Sequence, residues 1–202
     1  MILKDAKAVL FLGAFVLFTY CFIPGCTPPP PGKIVLSTGF ELPATGPQPV
    51  VPEMPPVMLS NEQVHSGSQA VKLDKNQPNA LLCGTTWQAL GGASWKEDDR
   101  SHHLRLRLWA WMPYDRQNAV VVTVLAQRPS PTPGAGATVL HIQRLALNKV
   151  ISQYQQWMPT TVFVSLPHEL QPLDEIAICA WGQHIGDRNA VYIDDVSLEN
   201  AD

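Results

Sequence analysis

Between Leu104 and Met112 the chain alternates without a break. Leu104, Leu106, Leu108, Ala110 and Met112 interleave with Arg105, Arg107, Trp109 and Trp111. A strand sends successive side chains to opposite faces, whereas a helix would split the same leucines between two sides. The segment therefore predicts a half-buried strand. Strand signals continue in Gln69 to Leu73, Asn79 to Thr86, Ala119 to Gln127, Thr138 to Leu147, Trp157 to Leu166, Leu173 to Trp181 and Ala190 to Leu198. A helix competes only in His141 to Gln155, which lacks a clear cap and has β-branched neighbours. Residues 43–56, 91–100 and 128–137 are rich in turn formers, and 19 prolines and 13 glycines punctuate the chain. About eight strands separated by such loops predict an all-β domain of two packed antiparallel sheets over residues 34–202.

The N-terminus has a different character. Lys4 and Lys7 precede an apolar run from Ala8 to Ile23, short for a membrane span and suited to the apolar region of an export signal. Ile23-Pro24-Gly25-Cys26 resembles the lipobox of bacterial lipoproteins. Gly25 fits the small residue before the cysteine, while Pro24 departs from the usual pattern. The resemblance implies that residues 1–25 are a signal peptide and that Cys26 is lipidated. An uncleaved N-terminal anchor is the alternative. Pro28 to Pro31 favour a stiff polyproline tether over residues 26–33. Both readings place the domain outside the cytoplasm, in the bacterial cell envelope, at the periplasmic face or the surface. A net charge of -3 gives no basic field for nucleic acid. A monomer is expected.

Three motifs carry a second resemblance: Gly39-Phe40-Glu41, then His65-Ser66-Gly67-Ser68-Gln69-Ala70-Val71, and finally Tyr192-Ile193-Asp194-Asp195-Val196-Ser197-Leu198. Their order and spacing are similar to the jelly-roll carbohydrate-binding modules of the galactose-binding-like superfamily. Residues 43–58 are longer and richer in proline than the family's usual loop. The resemblance implies a jelly-roll sandwich and a structural Ca²⁺, a cation that takes six to eight oxygen ligands. Glu41 and Asp194 would be its side-chain ligands, with carbonyls from the segment of Ser66 and Ser68. The alternative is a bulge or turn at Asp194-Asp195 with solvated carboxylates.

Parity gives a candidate binding face. If the leucines of 104–112 form the core, then Arg105, Arg107, Trp109 and Trp111 face outward. Indole stacks on the C–H faces of sugars, and guanidinium bonds hydroxyls. In 173–181 the same rule turns Ile176, Ile178 and Ala180 inward, and Glu175, Ala177, Cys179 and Trp181 outward. Trp181 therefore joins the candidate ligand set, with plain packing of these tryptophans as the alternative. Trp157 and Phe163 are expected in the core, and Trp87 and Trp95 flank the Gly91-Gly92 loop. Cys83 and Cys179 either form a disulfide or remain buried thiols. The sequence has no nucleophile elbow, phosphate loop or dinucleotide fingerprint. His102-His103 would point to opposite faces of a strand and make a poor pair of metal ligands. The expected function is therefore non-catalytic: a membrane-tethered glycan-binding module, or a structural or protein-interaction sandwich without a sugar site.

Overall fold

The computed structural model describes residues 34–40, 57–91, 101–113, 119–132, 135–183, 185–186 and 189–201. Contacts divide the chain at Pro30–Pro31. All described residues lie in the second unit. The signal segment, Cys26, the proline tether, Glu41 and Trp95 lie outside the described residues.

Ten strands and one helical turn follow in order. They are β1 (Ile34–Thr38), β2 (Leu59–Ser60), β3 (Ala70–Leu73), β4 (Asn79–Thr86), β5 (Ser101–Trp111), β6 (Ala119–Arg128), β7 (Thr138–Ala146), α1 (Leu147–Val150), β8 (Trp157–Pro167), β9 (Glu175–Gln183) and β10 (Val191–Asn200). The expected helical competition after His141 survives only as α1, a single turn. The strands form two antiparallel sheets, making a jelly-roll sandwich. The six-stranded sheet runs β2-β3-β10-β5-β8, with β1 also paired to β10. The four-stranded sheet runs β4-β9-β6-β7.

The alternation in β5 does what parity requires. Leu104, Leu106, Leu108, Ala110 and Met112 are all at most 1% exposed. They meet Val164 and Leu166 of β8, Ile193, Val196 and Leu198 of β10, and the inner faces of β6 and β9 in one core. On β6 the inward set is Val120, Val122, Val124 and Ala126, and on β9 it is Ile176, Ile178 and Ala180. Trp87 is 3% exposed and packs beside His102, with ring centroids 4.7 Å apart. It pins the start of its loop to the core.

β10 pairs with β5 along its length, but the register shifts between Asp194 and Ser197. The bulge leaves Asp195 at φ 46°, a left-handed conformation that aspartate tolerates better than most residues. The other edge of β10 is shared, with β3 pairing at 191–193 and β1 at 196–199. Thr38-Gly39 and the 61–69 loop therefore converge on the bulge.

Candidate functional site

The outer face of the four-stranded sheet carries an open groove of about 670 Å³. β6 contributes Val121, Thr123 and Leu125, β9 contributes Cys179, Trp181 and Gln183, and β7 borders them with Val139, Ile142 and Arg144. Register orders these side chains. Trp181 lies opposite Val121 at one end, Cys179-Thr123-Arg144 cross the middle, and Leu125-Ile142 lie beyond. The groove is therefore aromatic at one end, polar at its centre and aliphatic at the other end. Trp181 is 41% exposed. The volume of the groove lies within the range of small-molecule sites.

The five expected ligand residues do not come together. Trp181 belongs to the four-stranded sheet, whereas Arg105, Arg107, Trp109 and Trp111 occupy the outer face of the six-stranded one. There the tryptophans are half-buried and partnered. The His65 imidazole stacks on Trp109, with centroids 3.8 Å apart and planes 17° apart. Trp111 meets Tyr192 edge-on. Tyr192 donates to Glu62, which also takes both hydrogen bonds of Lys72. The Arg105 side chain is 11% exposed, and its guanidinium sits 5.5 Å from the Phe163 ring. Phe163 itself corrects an expectation, since it is 63% exposed rather than core. It shares strand parity with Thr161 and Ser165, while Val164 and Leu166 take the inward positions. Trp157 is half-buried on the same outer side and meets the edge of His65.

At the β10 bulge the two aspartates are tied to the 61–69 loop. Asp194 is fully buried. Its Oδ2 accepts the N–H groups of His65 (3.0 Å) and Ser66 (3.2 Å), and its Oδ1 accepts that of Asp195 (2.8 Å). Burial pushes its carboxyl upward from the ordinary value, against those same N–H groups. Asp195 accepts the Ser66 hydroxyl at 2.6 Å and meets His65 Nδ1 at 2.6 Å. Three N–H groups thus take most of the roughly four acceptor positions of the Asp194 carboxylate. The cation expected from sequence is only partly matched. Ser66 turns N–H rather than C=O toward Asp194, Ser68 is exposed, and Glu41 lies outside the described residues. Among the described residues no group of three His, Cys, Asp or Glu side chains is arranged for a metal.

Cys83 and Cys179 are free thiols, so of the two alternatives the structure has the unpaired one. The cause is a register shift. Cys179 lies opposite Leu81, and Cys83 opposite Ile178. Cys83 consequently packs on the core while Cys179 lines the outer groove. Burial pushes the thiol of Cys83 up to about 12 and that of Cys179 to about 11. Neither has the low pKa of a nucleophile.

Parity alone did not single out Val121, Thr123 and Leu125, because β6 is apolar on both faces. Thr123, the one polar residue inside Val120–Ala126, marks the outward parity and is the signal that could have found them.

Two antiparallel sheets with an open groove on the smaller one define a jelly-roll β-sandwich. No family model and no curated protein matches the chain. Solved structures similar to it are carbohydrate-binding modules. One is a family 16 carbohydrate-binding module, at 16% identity, 71% of this chain, 84% of that one and a TM-score of 0.41. Another is the C-terminal family 22 module of Clostridium thermocellum Xyn10B, at 11% identity, 86% and 98% coverage, and a TM-score of 0.45. A third is a family 27 module of Caldicellulosiruptor saccharolyticus in complex with mannohexaose, at 13% identity, 74% and 84% coverage, and a TM-score of 0.36.

Proposed function

We propose that this protein is a non-catalytic glycan-binding module of the bacterial cell envelope, anchored outside the cytoplasm, at the periplasmic face or the surface, by a lipidated Cys26. The observation that carries the reading is the groove on the four-stranded sheet, with an open indole at one end and hydrogen-bonding groups at its centre. A sugar ring would stack on Trp181, while Arg144, Thr123 and Gln183 are placed to bond hydroxyls of the same chain. Hydrolysis of a glycosidic bond usually needs a pair of carboxylates, and the described residues lining the groove include none. A glycan-array screen of wild type beside Trp181→Ala tests this. Binding by wild type alone supports the groove, and absence of binding to any glycan refutes it. A second reading, a protein-interaction sandwich, is favoured by the exposed Val139 (52%) and Ile142 (43%) at the groove. It is the outcome if an apolar peptide partner, and no sugar, is displaced by Ile142→Asp.

Calcium belongs to the same proposal. Glu41 and Asp194, with carbonyls near Ser66 and Ser68, would hold the ion where β1 and the 61–69 loop converge on β10. The acceptor position that the three N–H groups leave on the buried Asp194 carboxylate supports the location. EDTA should then lower the melting temperature of wild type and leave a Glu41→Ala, Asp194→Ala double variant unchanged. A wild type indifferent to EDTA would end the metal reading.

A further inference from the structure

The outer face of the six-stranded sheet holds a depression of about 320 Å³ that the groove does not use. Arg107, Trp109, Ser197 and Glu199 line it from β5 and β10, and Ser37 and Thr38 from β1. Glu199 is 5% exposed, yet its Oε2 makes no hydrogen bond. The nearest guanidinium nitrogens are Arg107 Nε at 3.4 Å and Arg105 Nη1 at 3.7 Å. Arg105 Nε, also buried, lacks a hydrogen-bond partner too. The Arg107 and Arg105 contacts are long ion pairs, so the buried Glu199 Oε2 is charge-compensated but keeps acceptor capacity that a group from outside the fold can use.

We infer that this depression is a second binding site, for a neutral hydroxyl-rich ligand of the saccharide class. The charges around it select that class. A cation reaching Glu199 would meet Arg105 and Arg107, and an anion reaching Arg107 would meet Glu199 and Asp195. A hydroxyl suits both sides, because it donates to the Glu199 carboxylate and accepts from a guanidinium. Arg107 is available for this, its side chain being 46% exposed. Trp109 supplies an apolar wall, held in place by the His65 ring stacked on it. The two sites face away from each other, since the side chains of β5 between these residues fill the shared core. The inference does not depend on the groove.

The test titrates the full chain with xylohexaose and with mannohexaose by calorimetry, up to about millimolar ligand. The forms compared are wild type, Trp181→Ala, Arg107→Ala, and Trp181→Ala combined with Arg107→Ala, Arg107→Lys or Glu199→Gln. Trp181→Ala should retain one binding event per chain. Arg107→Ala and Glu199→Gln should each weaken that event about tenfold or more. Arg107→Lys should not restore it, because it keeps the charge and loses the planar fork. Circular dichroism confirms that each variant is folded. Loss of all binding in Trp181→Ala would mean a single site and overturn the inference. So would residual binding indifferent to both β5 and β10 substitutions, which leaves only hydration at Glu199. Binding indifferent to Trp181→Ala and lost in Arg107→Ala alone would overturn the groove and keep this site. No heat from wild type with either sugar would overturn both.

Discussion

Trp181→Ala is the sharpest single test of the groove. A tryptophan presents up to about 250 Å², so a side chain 41% exposed leaves about 100 Å² open. A sugar ring lying on one indole face would cover about half of that. At about 25 cal/mol per Å² the covered part contributes ~1.3 kcal/mol, and favourable ring geometry adds about 0.5–1 kcal/mol. The expected loss is about 2 kcal/mol, or roughly a thirtyfold rise in Kd. Trp181→Phe keeps a smaller ring and should fall between the two. The covered part of the indole packs beside Val121 and Asn79, its register neighbours. The alanine variant should therefore also lose about 2 kcal/mol of stability, and affinity must be measured well below its melting temperature. Calorimetry against the best glycan from the array supplies the number. A folded Trp181→Ala protein whose Kd moves less than about threefold would show that the indole is not a sugar platform.

Close contacts and buried charge set two expectations for stability. A Cβ at Gly182 would come within 2.1 Å of Ile185 Cδ1 and 3.1 Å of the Pro78 carbonyl that Gly182 N–H bonds. Gly182→Ala should cost about 1–3 kcal/mol in urea unfolding, and Gly182→Ala, Ile185→Val should recover part of it. Asp174 is 1% exposed and accepts two bonds from Arg128 and one from the Gln171 N–H. Burial raises its carboxyl, but the Arg128 and Gln171 bonds outweigh burial and hold it below the usual carboxylate value. A depressed carboxyl stabilises the fold above the unfolded pKa of about 4 and loses that contribution as pH falls through the folded value. Asp174→Asn should therefore be less stable at neutral pH and show a flatter decline below pH ~4. Parallel pH profiles of variant and wild type would contradict this.

The parts of this architecture legible in the sequence are those where chemistry marks the two faces of a strand differently. In β5 leucine alternates with arginine and tryptophan, and the buried set follows residue by residue. In β9, Trp181 and Cys179 are outward as parity requires. The sheet to which a strand belongs is a different matter, because pairing partners are non-local. The sequence offers nothing that separates β9, paired with β4 and β6, from β5, paired with β8 and β10. For that reason residues of two opposite surfaces read as one site. Bulges are hidden for a similar reason. One extra residue reverses parity, so the shift between Leu81 and Cys83 separated a cysteine pair that looked compatible. Phe163 shows the converse failure. Its hydrophobicity suggested core, while Thr161 and Ser165 on the same parity already placed it outside.

The sandwich also makes a quantitative demand on the two proposed sites. Two packed sheets lie about 10 Å apart, and side chains on their outer faces are further apart still. Trp181 and Arg107 share no neighbour in the register of either sheet. Effects at such separations add to within about 0.3–0.5 kcal/mol. In a double-mutant cycle, the stability changes of Trp181→Ala and Arg107→Ala should therefore sum. For a hexasaccharide too short to span both faces, the affinity of each site should also be indifferent to the substitution at the other. A long polysaccharide engaging both faces would break the second rule and keep the first. Either substitution alone would then weaken the polysaccharide strongly, although the other site keeps its own affinity, because it removes the gain from effective concentration. Coupling in stability itself would mean that the core transmits strain between the sheets, which the close packing under β5 and β9 does not predict.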